Sequence, residues 1–140
     1  MRRFFTCLVV LLLAASARAA SLEARLIRAS NSFESTDAEL NDLQPKLKRQ
    51  FGYNFYHLLG EQLAPLDQKS KSRLDLGEGF VLFVTPRTSA WRARELELEW
   101  WSGNTLLVKT VARVPGKCSV LIKGPGVGED WIILALSMCE

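Results

Sequence analysis

One histidine, two methionines and three cysteines leave little with which to build chemistry. His57 is the single histidine, and without a Cys-x-x-Cys motif or a second histidine it cannot assemble a transition-metal site from nearby ligands. No metal and no cofactor is expected. A serine nucleophile needs a positioned base, and Ser70-Lys71-Ser72 offers only sequence neighbours in a polar stretch. Phosphate loops place Lys-Ser or Lys-Thr after their glycines. In Lys123-Gly124-Pro125-Gly126-Val127-Gly128-Glu129-Asp130 the lysine comes first and two acids follow, which would repel phosphate. That stretch reads as a hairpin loop, with Gly126 and Val127 as candidate contact residues. No catalytic residue emerges, and the chain is not expected to be an enzyme. Glu95, Glu97 and Glu99 share one face of a strand, and a wet sheet surface accounts for them more simply than an acid-base pair.

Long apolar runs are also missing, with one exception at the start. Arg2-Arg3 leads into an uncharged run from Phe4 to Ala15, followed by the Ala17-x-Ala19 pattern of a signal-peptidase site. Residues 1–19 therefore read as a signal peptide cleaved after Ala19, with Ala17 as the alternative site. The run is shorter than the roughly 20 residues of a membrane span, so no retained anchor is expected. Cys7 lies inside the run rather than after the cleavage site, which argues against a lipoprotein. Arg2-Arg3 with Phe5 is compatible with a twin-arginine signal, but the short head and strong apolar run favour the general secretory route.

Processing changes the charge. The whole chain carries 18 basic and 15 acidic residues, a formal +3. Arg2, Arg3 and Arg18 all leave with the signal peptide, and the remainder is formally neutral. A basic excess that belongs to the export signal gives no reason to expect nucleic acid as a partner.

Cys118 and Cys139 remain, in a compartment where a pair can oxidise to a disulfide. If Ile122 faces Ile132 in the closing hairpin, Cys118 lies on the buried face and Cys139 on the opposite one. Bridging them would then need a bulge, and two separate thiols, with Cys118 buried, are the alternative.

Residues 20–140 read as one β-rich domain. Positions 21–29 alternate as a half-buried strand. Leu40, Leu43, Leu47 and Phe51 recur at helical spacing behind Ser35, Thr36 or Asp37 as cap, with Pro45 either kinking the helix or opening a second piece. Tyr53 to Leu59 favours strand. Short runs follow at 72–76, 80–85, 94–101, 105–114, 118–123 and 131–137, separated by glycine-rich turns. The expectation is mainly β: an antiparallel two-layer β-sandwich of about seven or eight strands with one helix at its N-terminal side. Residues 80–84 and 131–136 are apolar on both parities and should be central strands.

Pairing Trp101 with Thr105 sets Leu96, Leu98 and Trp100 opposite Thr110, Val108 and Leu106 on a buried face. Glu97 then meets Lys109 on the wet face, with Glu95 diagonal to Arg113. Trp101 falls on the wet face too. With Trp91 it is a candidate contact residue, and Tyr53 and Tyr56 are further aromatics that the core pattern does not require; packing under the helix is the competing role.

The run Leu43-Gln44-Pro45-Lys46-Leu47-Lys48-Arg49-Gln50-Phe51-Gly52-Tyr53-Asn54-Phe55-Tyr56-His57-Leu58-Leu59 contains Leu-x-x-x-Phe-x-Tyr followed by Tyr-x-Leu-Leu. The closing Leu121-Ile122-Lys123-Gly124-Pro125-Gly126 and Trp131-Ile132-Ile133-Leu134-Ala135-Leu136 form a Gly-Pro-Gly hairpin. Both resemble segments of small uncharacterised exported bacterial proteins. The resemblance implies a Gram-negative periplasmic or exported setting and a mostly antiparallel fold, and carries over no activity or site residue.

Together these readings favour a non-catalytic exported protein that works by contact with an envelope or secreted protein, as an accessory subunit of an envelope or secretion assembly. A glycan, lipid or small-ligand binder using surface tryptophans is the first alternative. An inhibitor of a secreted hydrolase is the second.

Overall fold

The computed structural model describes residues 21–32, 35–66, 70–89, 93–116 and 118–139. The signal segment with Ala17 and Ala19, and the contact candidate Trp91, lie outside the described residues. The fold is mainly β. Among the described residues eight strands run in chain order: β1 (Ser21–Ser30), β2 (Phe55–Pro65), β3 (Ser72–Gly77), β4 (Phe80–Ser89), β5 (Ala93–Ser102), β6 (Thr105–Pro115), β7 (Val120–Val127) and β8 (Asp130–Cys139). One helix, α1 (Gln44–Phe51), lies between β1 and β2.

Two four-stranded antiparallel sheets form, in the orders β2-β1-β8-β7 and β3-β4-β5-β6. Each strand lies beside its neighbours in sequence, and the first strand pairs with the last, Ser21 opposite Cys139 through Ala29 opposite Trp131. Leu22, Leu26, Leu134 and Leu136 of the first sheet share one apolar core with Leu74, Leu82, Leu96, Leu98 and Trp100 of the second. Inward positions alternate with outward ones along β3 from Arg73 to Leu76, β4 from Phe80 to Val84 and β5 from Glu95 to Trp101, as the pleat requires.

Two glycines let the sheets meet where no ladder joins them. A Cβ on Gly60 of β2 would overlap the Leu76 carbonyl oxygen of β3, and one on Gly124 of β7 would overlap the Trp100 ring. Trp100 is 1% exposed and fills the space between β5 and β7. Its ring centroid lies 6.0 Å from that of Phe80.

β1, whose alternation suggests a strand buried on one face, is a central strand buried on both, because the helical segment lies over its outer face. That segment is a 3₁₀ turn at Ala38–Leu40 followed by α1, and Pro45 sits in the first turn of α1, where its missing N–H costs nothing. Leu40, Leu43 and Leu47 pack on Ile27, Ala29, Tyr56, Ile133 and Ala135. The expected caps serve the sheet instead. Thr36 Oγ1 accepts from the Tyr56 N–H at 3.1 Å and Asp37 Oδ2 accepts from the Leu58 N–H at 2.8 Å, covering part of the free edge of β2.

The β5–β6 register differs from the expected one by a bulge. Ser102 pairs with Thr105 across a two-residue turn, Trp101 with Leu106, and Trp100 with Val108, leaving Leu107 extra. Gly103 at φ 55 supplies the positive angle that such a turn needs at its first central position. Beyond the bulge the faces survive, because one extra residue on one strand restores parity there, but Leu106, expected on the buried face opposite Trp100, pairs instead with Trp101 on the outer face and is 42% exposed. Glu99 therefore meets Lys109, Glu97 meets Val111, and Glu95 meets Arg113 directly. Ile122 likewise pairs with Leu134 rather than Ile132, on the same face as expected.

Gly60→Ala and Gly126→Ala separate a required glycine from a tolerant one. The first drives a methyl into backbone and should cost about 3 kcal/mol or more. The second makes only ordinary contact with the Trp131 ring and should stay within about 0.5 kcal/mol. Urea unfolding midpoints of the two variants measure the difference, and equal midpoints would contradict the β2–β3 contact.

Candidate binding face

The outer faces of the two sheets differ in what covers them. On the first sheet the helical segment is held by its leucines and by Arg25, which is 6% exposed. Its guanidinium donates to Asp42 Oδ1 at 3.1 Å and Oδ2 at 2.9 Å, and lies 3.3 Å from Glu23 Oε1. Lys46 Nζ donates to the Ser119 carbonyl at the far side. The hydrogen bonds from Arg25, and the Arg25 charge behind them, hold the Asp42 carboxyl below its ordinary 3.8 against the opposing effect of burial.

Over the second sheet there is no such layer among the described residues. Its strand pairing sets out the outer face in rows. Asp75, Val81, Trp101 and Leu106 form one; Arg73, Phe83, Glu99 and Lys109 the next; Thr85, Glu97 and Val111 the third. Leu106 is 42% exposed and Val111 45%. Val81, Phe83 and Trp101 are half-buried.

Charge on this face is largely settled internally. Glu99 is approached by Lys71 at 3.4 Å and Lys109 at 3.9 Å, and the Lys71 ammonium lies 4.8 Å from the Phe83 ring centroid. Pairs this exposed contribute at most about 1 kcal/mol each, so they shape the surface more than they stabilise the fold. A depression of about 420 Å³ is lined by Lys71, Phe83, Thr85, Glu97, Glu99, Lys109 and Val111. A second, of about 340 Å³, is lined by Arg73, Val81, Phe83, Trp101, Gly103 and Asn104. Phe83 lines both.

Of the residues singled out in the sequence, Trp101 lies on this face as expected, though its Nε1 is buried with no hydrogen-bond partner. Gly126 and Val127 are exposed at the end of β7, in the other sheet, beside Trp131, whose ring is capped by the Lys123 ammonium at 3.9 Å. They do not form one site with Trp101. Tyr56 is fully buried beneath the helical segment and Tyr53 packs there too, so neither is a surface aromatic. Burial raises the Tyr56 phenol above its ordinary 10.0. His57 Nε2 donates to the Ser35 carbonyl at 2.9 Å, a structural bond.

Cys118 is not buried as expected. It is an exposed free thiol just before β7 begins, while the Cys139 side chain lies outside the described residues. Ser119 and Ser137 face each other with hydroxyl oxygens 2.7 Å apart. Lys109 was expected on the wet face and Lys71 in a polar stretch, whereas Val81 and Phe83 had no signal as surface residues. The run at 80–84 looks like a strand buried on both faces, and nothing in it tells that one face has no covering layer.

Because the Asp42 pKa is lowered in the folded state, its contribution is full above the ordinary 3.8 and is lost as pH falls through the lower folded value. The stability gap between the wild type and Asp42→Asn should therefore be widest near neutrality and close on acidification through the carboxylate range. Thermal midpoints at several pH values test this, and a gap independent of pH would refute it. No protein-family model, no curated protein and no solved structure matches this chain, so its function is read from the geometry.

Proposed function

We propose that this chain is an exported, non-catalytic β-sandwich that meets a protein partner through the outer face of β3–β6, as an accessory subunit of an envelope or secretion assembly. The observation that carries this reading is the asymmetry of the two sheets. One outer face is closed by Leu40, Leu43 and Leu47, and the other leaves Val81, Phe83, Trp101, Leu106 and Val111 without a covering layer among the described residues. Apolar side chains interleaved with charges, flanking an aromatic anchor, have the composition of a contact surface.

Export is supported by the leader pattern of residues 1–19. The proposed mature chain is formally neutral, which suits a specific docking surface better than a polyanion-binding one. Glycan binding is the second reading, and Trp101 and Asn104 beside the smaller depression favour it.

Trp101→Ala and Trp100→Ala separate contact from core. Trp100→Ala should lose about 3–5 kcal/mol and leave little folded protein. Trp101→Ala should keep its thermal midpoint within a few degrees of wild type while losing the partner. The assay is affinity capture of the tagged protein from the periplasm of its own source cell, with intact mass taken on the bait. A bait that returns alone at low salt would end the assembly reading, and a bait retaining residues 1–19 would end the export reading.

A further inference from the structure

Charge on the open face is not evenly settled, and the exception lies in the smaller depression. Arg73 of β3 stands opposite Phe83 and lines the depression with Val81, Phe83, Trp101 and Asn104. Those residues supply a guanidinium, a carboxamide and three apolar side chains, and no carboxylate. Arg73 is exposed and makes no ion pair among the described residues. Glu99, two strands away in the same row, is approached by Lys71 and Lys109, and Asp75, on the same face of β3, makes no ion pair with Arg73 and accepts through Oδ1 from the Gly77 N–H at 3.1 Å. The larger depression next to it, beyond Phe83, carries Glu97 and Glu99 together with Lys71 and Lys109, so its charges balance and the cation without an ion pair is at the Arg73 end.

We infer that the Arg73–Trp101 depression is the point at which the partner docks, and that it takes a protein segment carrying a carboxylate side chain beside a bulky apolar one. The inference rests on the contact reading of this face and adds the chemistry of the occupant. Arg73 supplies charge-assisted hydrogen bonds to the carboxylate, with Asn104 as a second donor. The neighbouring apolar residue covers Val81 and the exposed part of Trp101, whose row continues to Leu106. Arginine suits this role because its planar fork matches a carboxylate and is more weakly hydrated than an ammonium.

The probe is the peptide acetyl-Leu-Glu-Phe-Glu-Leu-amide, with acetyl-Leu-Lys-Phe-Lys-Leu-amide as its charge-reversed control. Each is titrated into the folded, isotope-labelled mature protein at low salt. The glutamate peptide should shift the indole signal of Trp101 and the side-chain amide of Asn104, and the lysine peptide should not. Arg73→Gln should weaken the binding on the order of tenfold. Arg87→Gln, an exposed cation on β4 outside the depression, should leave it unchanged, and the thermal midpoints of both variants confirm folding. Equal shifts from the two peptides, no shifts from either, or no effect of Arg73→Gln would each overturn the inference. So would shifts produced only by maltopentaose or trigalacturonate, which would assign the depression to a glycan. If Trp101→Ala abolishes partner capture while the peptides are not distinguished, the contact reading stands and the acidic-segment inference alone falls.

Discussion

The fold depends on two places where the sheets touch without hydrogen bonding. Gly60 admits the Leu76 carbonyl and Gly124 admits the Trp100 ring, and a side chain at either position would push the sheets apart. With those contacts in place the chain goes once round its core as a meander, closed by the β1–β8 ladder and by packing alone at β2/β3 and β6/β7. Trp100 occupies the interior that a looser barrel would leave for a ligand. The inside is filled by packed side chains, and the proposed contacts are left to the outside.

The outside is divided unequally by a single segment. Residues 35–52 cover the outer face of β1 and β8 and satisfy the free edge of β2 through Thr36 and Asp37, so one short stretch of chain meets two requirements of the first sheet. The second sheet has no insertion of comparable length between its strands, whose connections are short. Its outer face is therefore half-covered by its own long side chains. Lys71 over Phe83 and Lys109 beside Glu99 are what a sheet does with a face that has no second layer.

What was legible in the sequence follows from which interactions are local. Alternation and glycine turns mark the strands from 72 onward, and the residue types at 95–101 assign their inner and outer faces correctly. Registers were less legible. The Trp101–Thr105 pairing expected from the turn fails by the Leu107 bulge, because apolar burial constrains parity and is indifferent to a shift of two. β1 looks half-buried because its pattern contains Arg25 and Arg28, and only the tertiary partners Asp42 and Asp130 explain how those cations sit in a central strand. The candidate face was half legible. Trp101 stands out as an aromatic at an outward position, whereas Phe83 is indistinguishable in sequence from a core residue until the absence of a covering layer is seen.

The topology also bears on the proposed export. β1 is the first element after the proposed cleavage site, yet it is a central strand, and its pairing with β8 joins Ser21 to Cys139 across nearly the whole chain. The first sheet cannot close until the last strand is available, since β1 otherwise has only β2 as a ladder partner. Such long-range closure is slow, because loop entropy is lost before the ladder forms. A chain organised in this way stays open while its C-terminal residues are still being made, which is the state the proposed general secretory route would require of it.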